Sequence, residues 1–152
     1  MKTVEGDLLK FAQAGEFDVI AHGCNCMCAM GAGIAKGVKE LFPAAYDADR
    51  ATGKANKDKL GTCTFAECSI DEGTVTVVNA YIQYDYRGRG VKVDYDAVRS
   101  CMKWIAGRFP KARIGLPKIG AGLTGGDWDT IQEIIAEALG GMDVTIVEFV
   151  PG

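Results

Sequence analysis

The apolar positions of this chain fall into short unbroken runs and into stripes at helical spacing, and the two alternate. FDVIA (17–21) is a compact apolar run that reads as a buried strand. Ile34, Val38, Leu41 and Phe42 then fall on one helical face, and Pro43 ends that helix. GTCTFAEC (61–68) and TVTVVNAYIQ (74–83) read as two strands joined by the turn SIDEG. Tyr95, Val98, Met102 and Ile105 mark an amphipathic helix, with Asp94 as its N-cap. ARIGLPKIG (112–120) runs from a strand into a glycine loop. A helix follows over 127–139 with Ile131, Ile134, Ile135 and Ala138 on one face, and Gly140-Gly141 stops it. VTIVEFV (144–150) is the last strand. At the other end, residues 2–5 read as a short edge strand and Leu8, Leu9, Phe11 and Ala12 as a short helix. The stretch DADRATGKANKDK (47–59) is polar and reads as an exposed connection.

Strands alternating with helices predict an α/β domain, a three-layer α/β/α sandwich. The 61–83 hairpin adds an antiparallel pair, so the central sheet is expected to be mixed. At 152 residues the chain suits one domain spanning 1–152. The net charge of -3 offers no basic surplus for a nucleic-acid backbone, so no nucleic acid is expected as a partner. No stretch approaches the ~20 apolar residues of a membrane span, and no leader-like run opens the chain. A cytoplasmic location and no membrane partner are the expectation. The six cysteines, at 24, 26, 28, 63, 68 and 101, are then expected to be free thiols.

Two features compete for the chemistry of AHGCNCMCAMGAGIAKG (21–37). C-x-C-x-C is poor zinc spacing, since structural sites pair hooks of C-x(2-4)-C or H-x(3-5)-H type, and His22 is the chain's single histidine. The cysteines read as small apolar fillers, with no metal expected. The glycines carry more. MGAGIAKG places small residues before a helix whose first N–H groups are unpaired and whose dipole favours an anion. PKIGAGLTGGDWD has the same character at a second strand end. Two such loops side by side point to a diphosphate ligand. The cysteine stretch separates the first loop from its strand, against a Rossmann fingerprint, and no G-K-[ST] occurs for a Walker A loop.

VEGDLL, VIAHGCNC, MGAGIAKGVKELFP and LPKIGAGLTGGDW, taken in that order, resemble the macrodomain family. They are most similar to the branch holding the ADP-ribose 1''-phosphate phosphatases and the terminal ADP-ribose–protein glycohydrolase. The resemblance implies ADP-ribose or ADP-ribose 1''-phosphate as ligand and no cofactor. It assigns Asp7 to the adenine amino group and the backbone of Leu8 to the ring; the alternative for Asp7 is a helix cap. Gly31, Ala32, Gly33 and Ile34 would line the diphosphate and distal ribose. Asn25 would bond that ribose, or else its own backbone. Ile119, Gly120, Ala121, Gly122 and Leu123 would close over the diphosphate. Phe149 would stack on adenine, unless it is a core residue.

The family holds both readers and hydrolases. The glycohydrolase branch uses a strand lysine and an aspartate after the second glycine loop. Here TVTVVNAYIQYDY has no lysine, and Thr124 stands where that aspartate would fall. Asp127, His22 and Asn25 remain as catalytic candidates. Asp127 could orient a water as general base, or cap the next helix. His22 could donate to a leaving oxygen, or sit hydrogen-bonded at the strand end. Lys36 and Lys118 read as solvated charges. Arg87, Arg89 and Lys92 read as a solvated loop, though a basic surface there would suit an ADP-ribosylated macromolecule. The expected activity is metal-independent hydrolysis of ADP-ribose 1''-phosphate to ADP-ribose and phosphate. A non-catalytic reader, or a hydrolase acting on a modified macromolecule, is the alternative.

Overall fold

The computed structural model describes residues 1–88, 90–122 and 124–150. Arg89 and Leu123 lie outside the described residues. Among these residues, six strands alternate with five α-helices: β1 (Lys2–Gly6), α1 (Leu8–Gln13), β2 (Val19–Asn25), α2 (Gly33–Leu41), α3 (Pro43–Arg50), β3 (Cys63–Ser69), β4 (Thr74–Gln83), α4 (Tyr95–Arg108), β5 (Arg113–Leu116), α5 (Trp128–Ala138) and β6 (Asp143–Phe149). The sheet order is β1-β6-β5-β2-β4-β3. Every neighbouring pair is parallel except β3–β4. The expected mixed sheet is therefore parallel over five strands, with one antiparallel edge.

Apolar burial holds the layers together. Ala21, Val78, Ile114 and Ile146 of the sheet pack against Met102 and Ile105 of α4 and Ile131 and Ile135 of α5. On the other face Ile20, Val77 and Val147 pack with Leu9 of α1, Val38 of α2, Ala45 of α3 and Phe42 at the junction of α2 and α3. The central strand β2 is covered on both sides, which is why VIAHGCN reads as a run and not as an alternation. The helix starts follow the capping rules. Asp7, Asp94 and Asp127 each accept a hydrogen bond from the first turn of α1, α4 and α5.

The segment 47–59 corrects the expectation of an exposed connection. Residues up to Arg50 belong to α3, and Lys57–Lys59 makes one 3-10 turn. Asp49 and Lys59 are buried. Polarity misleads here because the two charges answer one another. Lys59 Nζ lies 3.8 Å from Asp49 Oδ1 and 4.5 Å above the Tyr81 ring. The Tyr81 hydroxyl donates to Asp49 Oδ1 at 2.7 Å. That commits its proton, so the Thr64 hydroxyl is the donor in the 3.0 Å contact with the Tyr81 oxygen. Asn79 Nδ2 in turn donates to Thr64 Oγ1 at 3.0 Å. Four side chains on β4, β3 and α3 thus form one directed chain of hydrogen bonds ending on a carboxylate, an arrangement in which each bond polarises the next.

Candidate functional site

Five parallel strands place their carboxyl ends on one edge of the sheet, where ligands of open α/β sheets bind. In spatial order these ends carry Asp7 after β1, Phe149 on β6, Pro117 and Lys118 after β5, Asn25 on β2 and Gln83 on β4. The row is about 19 Å wide at roughly 4.8 Å per strand. A cavity of ≈ 590 Å³ opens over the β5, β2 and β4 ends. Gly31, Ala32, Gly33 and Ile34 form one wall and Ile119, Gly120 and Gly122 another, with Asn25 between them. These expected residues are brought together.

The two walls are backbone. The N-cap of α2 is Ala32, whose side chain can accept nothing, so the first N–H groups of this helix stay without a capping side chain. Gly33 starts the helix at φ 59°, a conformation that favours glycine and turns the chain sharply into the cleft. Gly120 does the same in the second loop at φ 77°. That loop closes on itself: Gly126 N–H donates to the Gly120 carbonyl at 2.8 Å, and the Thr124 hydroxyl donates to the same oxygen. Lys92 N–H donates to the Thr124 carbonyl at 2.8 Å, tying in the 84–92 loop. Ala121 is not among the cavity-lining residues.

Charge is one-sided. Lys92 and Lys118 are the charged side chains among the described lining residues, and no carboxylate is among them. Lys118 Nζ has a half-exposed partner, Glu148, at 3.6 Å, a surface pair that leaves the ammonium available. Two lysines and the uncapped start of α2 give the cavity a positive lining that favours an anion. Lys92 and Lys118, read from sequence as solvated charges, both belong to the site. Their signal was position: Lys118 is the second residue after β5, and Lys92 lies in the glycine loop after β4.

The remaining candidates divide. Asn25 lines the cavity, but its carboxamide is committed to its own loop. Its Oδ1 accepts from Met27 N–H at 2.9 Å, and its Nδ2 donates to the Ala29 carbonyl at 2.9 Å. Asn25 thereby shapes the β2–α2 connection. Asp7 caps α1 through Oδ1, accepting from Leu9 N–H at 3.0 Å, while its Oδ2 makes no bond among the described residues. Leu8 is a buried core residue beside it. Phe149 is 63 % exposed at the edge, so the core alternative does not hold for it. Asp127 is outside the cavity lining. Its Oδ2 accepts from the Thr130 N–H and hydroxyl, and these bonds hold its carboxyl below the ordinary range. The helix-cap alternative accounts for it, and the structure does not place it as a base in the cleft.

His22 is likewise not in the cleft. It lies in the layer between the sheet and α3, 1 % exposed. Asn79 Nδ2 donates to the Ala45 carbonyl, so Asn79 Oδ1 is an acceptor and His22 Nε2–H donates to it at 2.7 Å. Strand alternation turns His22 to this side, a parity that motif reading ignores, with Cys24 Sγ 3.5 Å from its Nε2; Cys24, nearer the strand end, also lines the cleft. Burial lowers the His22 pKa, against the smaller raising effects of Asn79 and Asp49. The unfolded chain then takes up a proton near pH 6.5 that the folded chain refuses. Stability is therefore lost as pH falls below 6.5, by at most about 1.4 kcal/mol per pH unit from this group. Urea unfolding at pH 7.5 and 5 should show that loss in the wild type and less of it in His22→Gln. Equal losses would acquit His22.

No family model matches the chain. The chain belongs to the macrodomain family, as its 30% identity to a macrodomain protein of known structure over 88% of each chain shows, and its sheet order is that of the same fold. It is 30% identical over 156 residues to an uncharacterized 17.5 kDa protein of the tk–vs intergenic region of Enterobacteria phage T4, covering 99% of this chain and 97% of the other. A shorter match, 40% identical over 47 residues, covers 31% of this chain and 22% of an ADP-ribose 1''-phosphate phosphatase of Aspergillus oryzae. Among solved structures, a macrodomain protein from Streptomyces coelicolor matches at TM-score 0.62 with 30% identity over 88% of each chain. The macrodomain of Mycobacterium tuberculosis DarG matches at TM-score 0.76 with 19% identity over 99% and 97%. Thermosipho africanus DarTG in complex with ADP-ribose matches at 0.74 with 17% identity over 99% of this chain and 42% of that one.

Proposed function

We propose that this macrodomain binds ADP-ribose along the strand-end row and hydrolyses ADP-ribose 1''-phosphate to ADP-ribose and phosphate. The observation that carries the binding reading is the one-sided cleft: two lysines, the start of α2 without a capping side chain, and no carboxylate among its described lining residues. Such a cradle suits a diphosphate. Asp7, with one free carboxylate oxygen, and the exposed ring of Phe149 suit the adenine at the β1–β6 end. The distal ribose then falls over β2 and β4. The phosphatase reading draws on the short match to the Aspergillus enzyme.

In that reaction water forms a bond to phosphorus and the bond from phosphorus to the ribose oxygen breaks. The cleft would contribute position and charge stabilisation at the phosphoryl group. It offers neither carboxylate nor imidazole among its described lining residues, which favours a second reading, a binder without turnover. A phosphorus NMR time course of ADP-ribose 1''-phosphate with protein and chelator separates them. Growth of inorganic phosphate supports the phosphatase. Intact substrate with broadened diphosphate signals leaves the binder. Unchanged signals would remove both.

A further inference from the structure

Away from the cleft, two cysteines meet between β3 and α4. Alternation turns Cys63 to the same face of the sheet as Phe65, whose ring packs on Trp104 of α4. Cys101 lies on the buried side of that helix with Val98, Met102 and Ile105. Cys63 Sγ is 4.0 Å from the Cys101 carbonyl oxygen, and Cys101 Sγ is 3.4 Å from the carbonyl oxygen of Thr62, the residue before Cys63. A disulfide needs the two main chains close, with Cα atoms within about 7 Å. They are close here: a Cβ on Gly61 would meet Ser100 Cβ at 3.4 Å and Ala97 Cα at 3.7 Å. A hydrogen bond to the Cys101 thiol, and then burial, push the Cys63 thiol up, so it stays protonated and reacts slowly near neutral pH. Exposure sets an order of events, because Cys63 is partly exposed and Cys101 is 0 % exposed. Cys28 is the other partly exposed thiol, and no cysteine sulfur is among the groups bonded to its own.

We propose that Cys63 and Cys101 are a modification site, at which a low-molecular-weight disulfide converts the two thiols into one internal disulfide tying β3 to α4. The Cys63 thiolate attacks one sulfur of the small disulfide, whose S–S bond breaks, and one small thiol leaves. The Cys101 thiolate then attacks Cys63 Sγ, the mixed disulfide breaks, and the second small thiol leaves. The protein gives up two protons and two electrons, and the small disulfide takes them up as two thiols. The loop closed in this way, 63–101, holds all of β4 and the segment that brings Tyr86 and Lys92 to the cleft wall. Joining its ends restricts the unfolded chain and so stabilises the folded one.

Incubation of the reduced protein with oxidised glutathione at mildly alkaline pH, followed by acid quenching, alkylation, digestion and mass spectrometry, tests it. The main product should be two hydrogens lighter than the reduced chain, with the peptides carrying Cys63 and Cys101 joined, and dithiothreitol should reverse the change. Its Tm should stand at least about 5 °C above that of the reduced protein. Cys63→Ser should form no internal disulfide. Cys101→Ser should stop at a glutathione adduct on Cys63, which distinguishes a thiol that resolves the adduct from one that merely fills space. Cys101→Ala gives the same reading should serine be poorly tolerated at this buried position. A different cysteine pair joined, a glutathione adduct on Cys63 that persists in the wild type, no reaction at Cys63, or a Tm unchanged or lowered by the bond would overturn the assignment.

Discussion

Lys59→Met is expected to lower the thermal midpoint by about 10 °C. Removing one partner of a buried ion pair costs about 3–5 kcal/mol, and each kcal/mol moves the midpoint by about 2–4 °C in a domain of this size. Here the loss is not shared with water. Asp49 is 1 % exposed, and its ammonium partner sits among Asp49, the Tyr81 ring and Cys28 Sγ at 3.5 Å. Methionine preserves most of the stem, so the change reads charge and not packing. Asp49→Asn should also destabilise, because it leaves the Lys59 ammonium buried without its carboxylate. The double variant should recover a large part of the two losses, since neither unpaired charge then remains. Thermal unfolding of the four proteins gives the cycle. Strict additivity would mean that the pair is not coupled, and the account of the 47–59 segment would fail.

Gly31→Asp is expected to abolish ADP-ribose binding, by at least about a hundredfold, while leaving the fold intact. A Cβ at Gly31 meets nothing within 4 Å, and the residue is exposed in the cavity wall ahead of α2. The fold therefore accommodates the side chain. A carboxylate there faces the same N–H groups and the same two lysines that a diphosphate would use. It would occupy them and repel the ligand, and like charges at close range in a partly enclosed site cost several kcal/mol. Gly31→Ala should bind within about threefold of wild type, which separates charge from bulk. Titration of both variants alongside their unfolding midpoints decides the matter. Normal binding by Gly31→Asp would mean that the anion lies elsewhere.

Hydrophobic rhythm and capping residues make much of the architecture legible in the sequence. The run at 17–21 enters the central strand β2 and 74–83 is β4, and Asp94 stands as a cap, whereas Asp127, expected as a catalytic base with a cap as the alternative, is a cap. What escaped was where polar side chains point. Asp49 and Lys59 look solvated in a sequence, because burying a charge depends on a partner that the chain supplies only in three dimensions. His22 lies next to the glycine that lines the cleft, yet alternation sends its ring to the opposite layer. Gln83 had a signal, as the polar last residue of a largely apolar strand, but the irregularity beside it is a property of pairing with β2. The glycine loops were legible for the opposite reason. A cradle made of main chain leaves its mark as missing side chains.

Pairing of the first strand with the last has a consequence for how the site is made. Lys2 lies against Thr145 and Gly6 against Phe149, so β1 has no place in the sheet until the segment carrying β6 exists. During synthesis from the N-terminus, the hairpin of β3 and β4 and its helices have their neighbours early. Asp7 and Phe149 meet only when that distant pairing closes, a contact of very high sequence separation. The end of the cleft assigned to the base is thus the last part of the protein to come into being, and a nascent or truncated chain would present the opposite end without it.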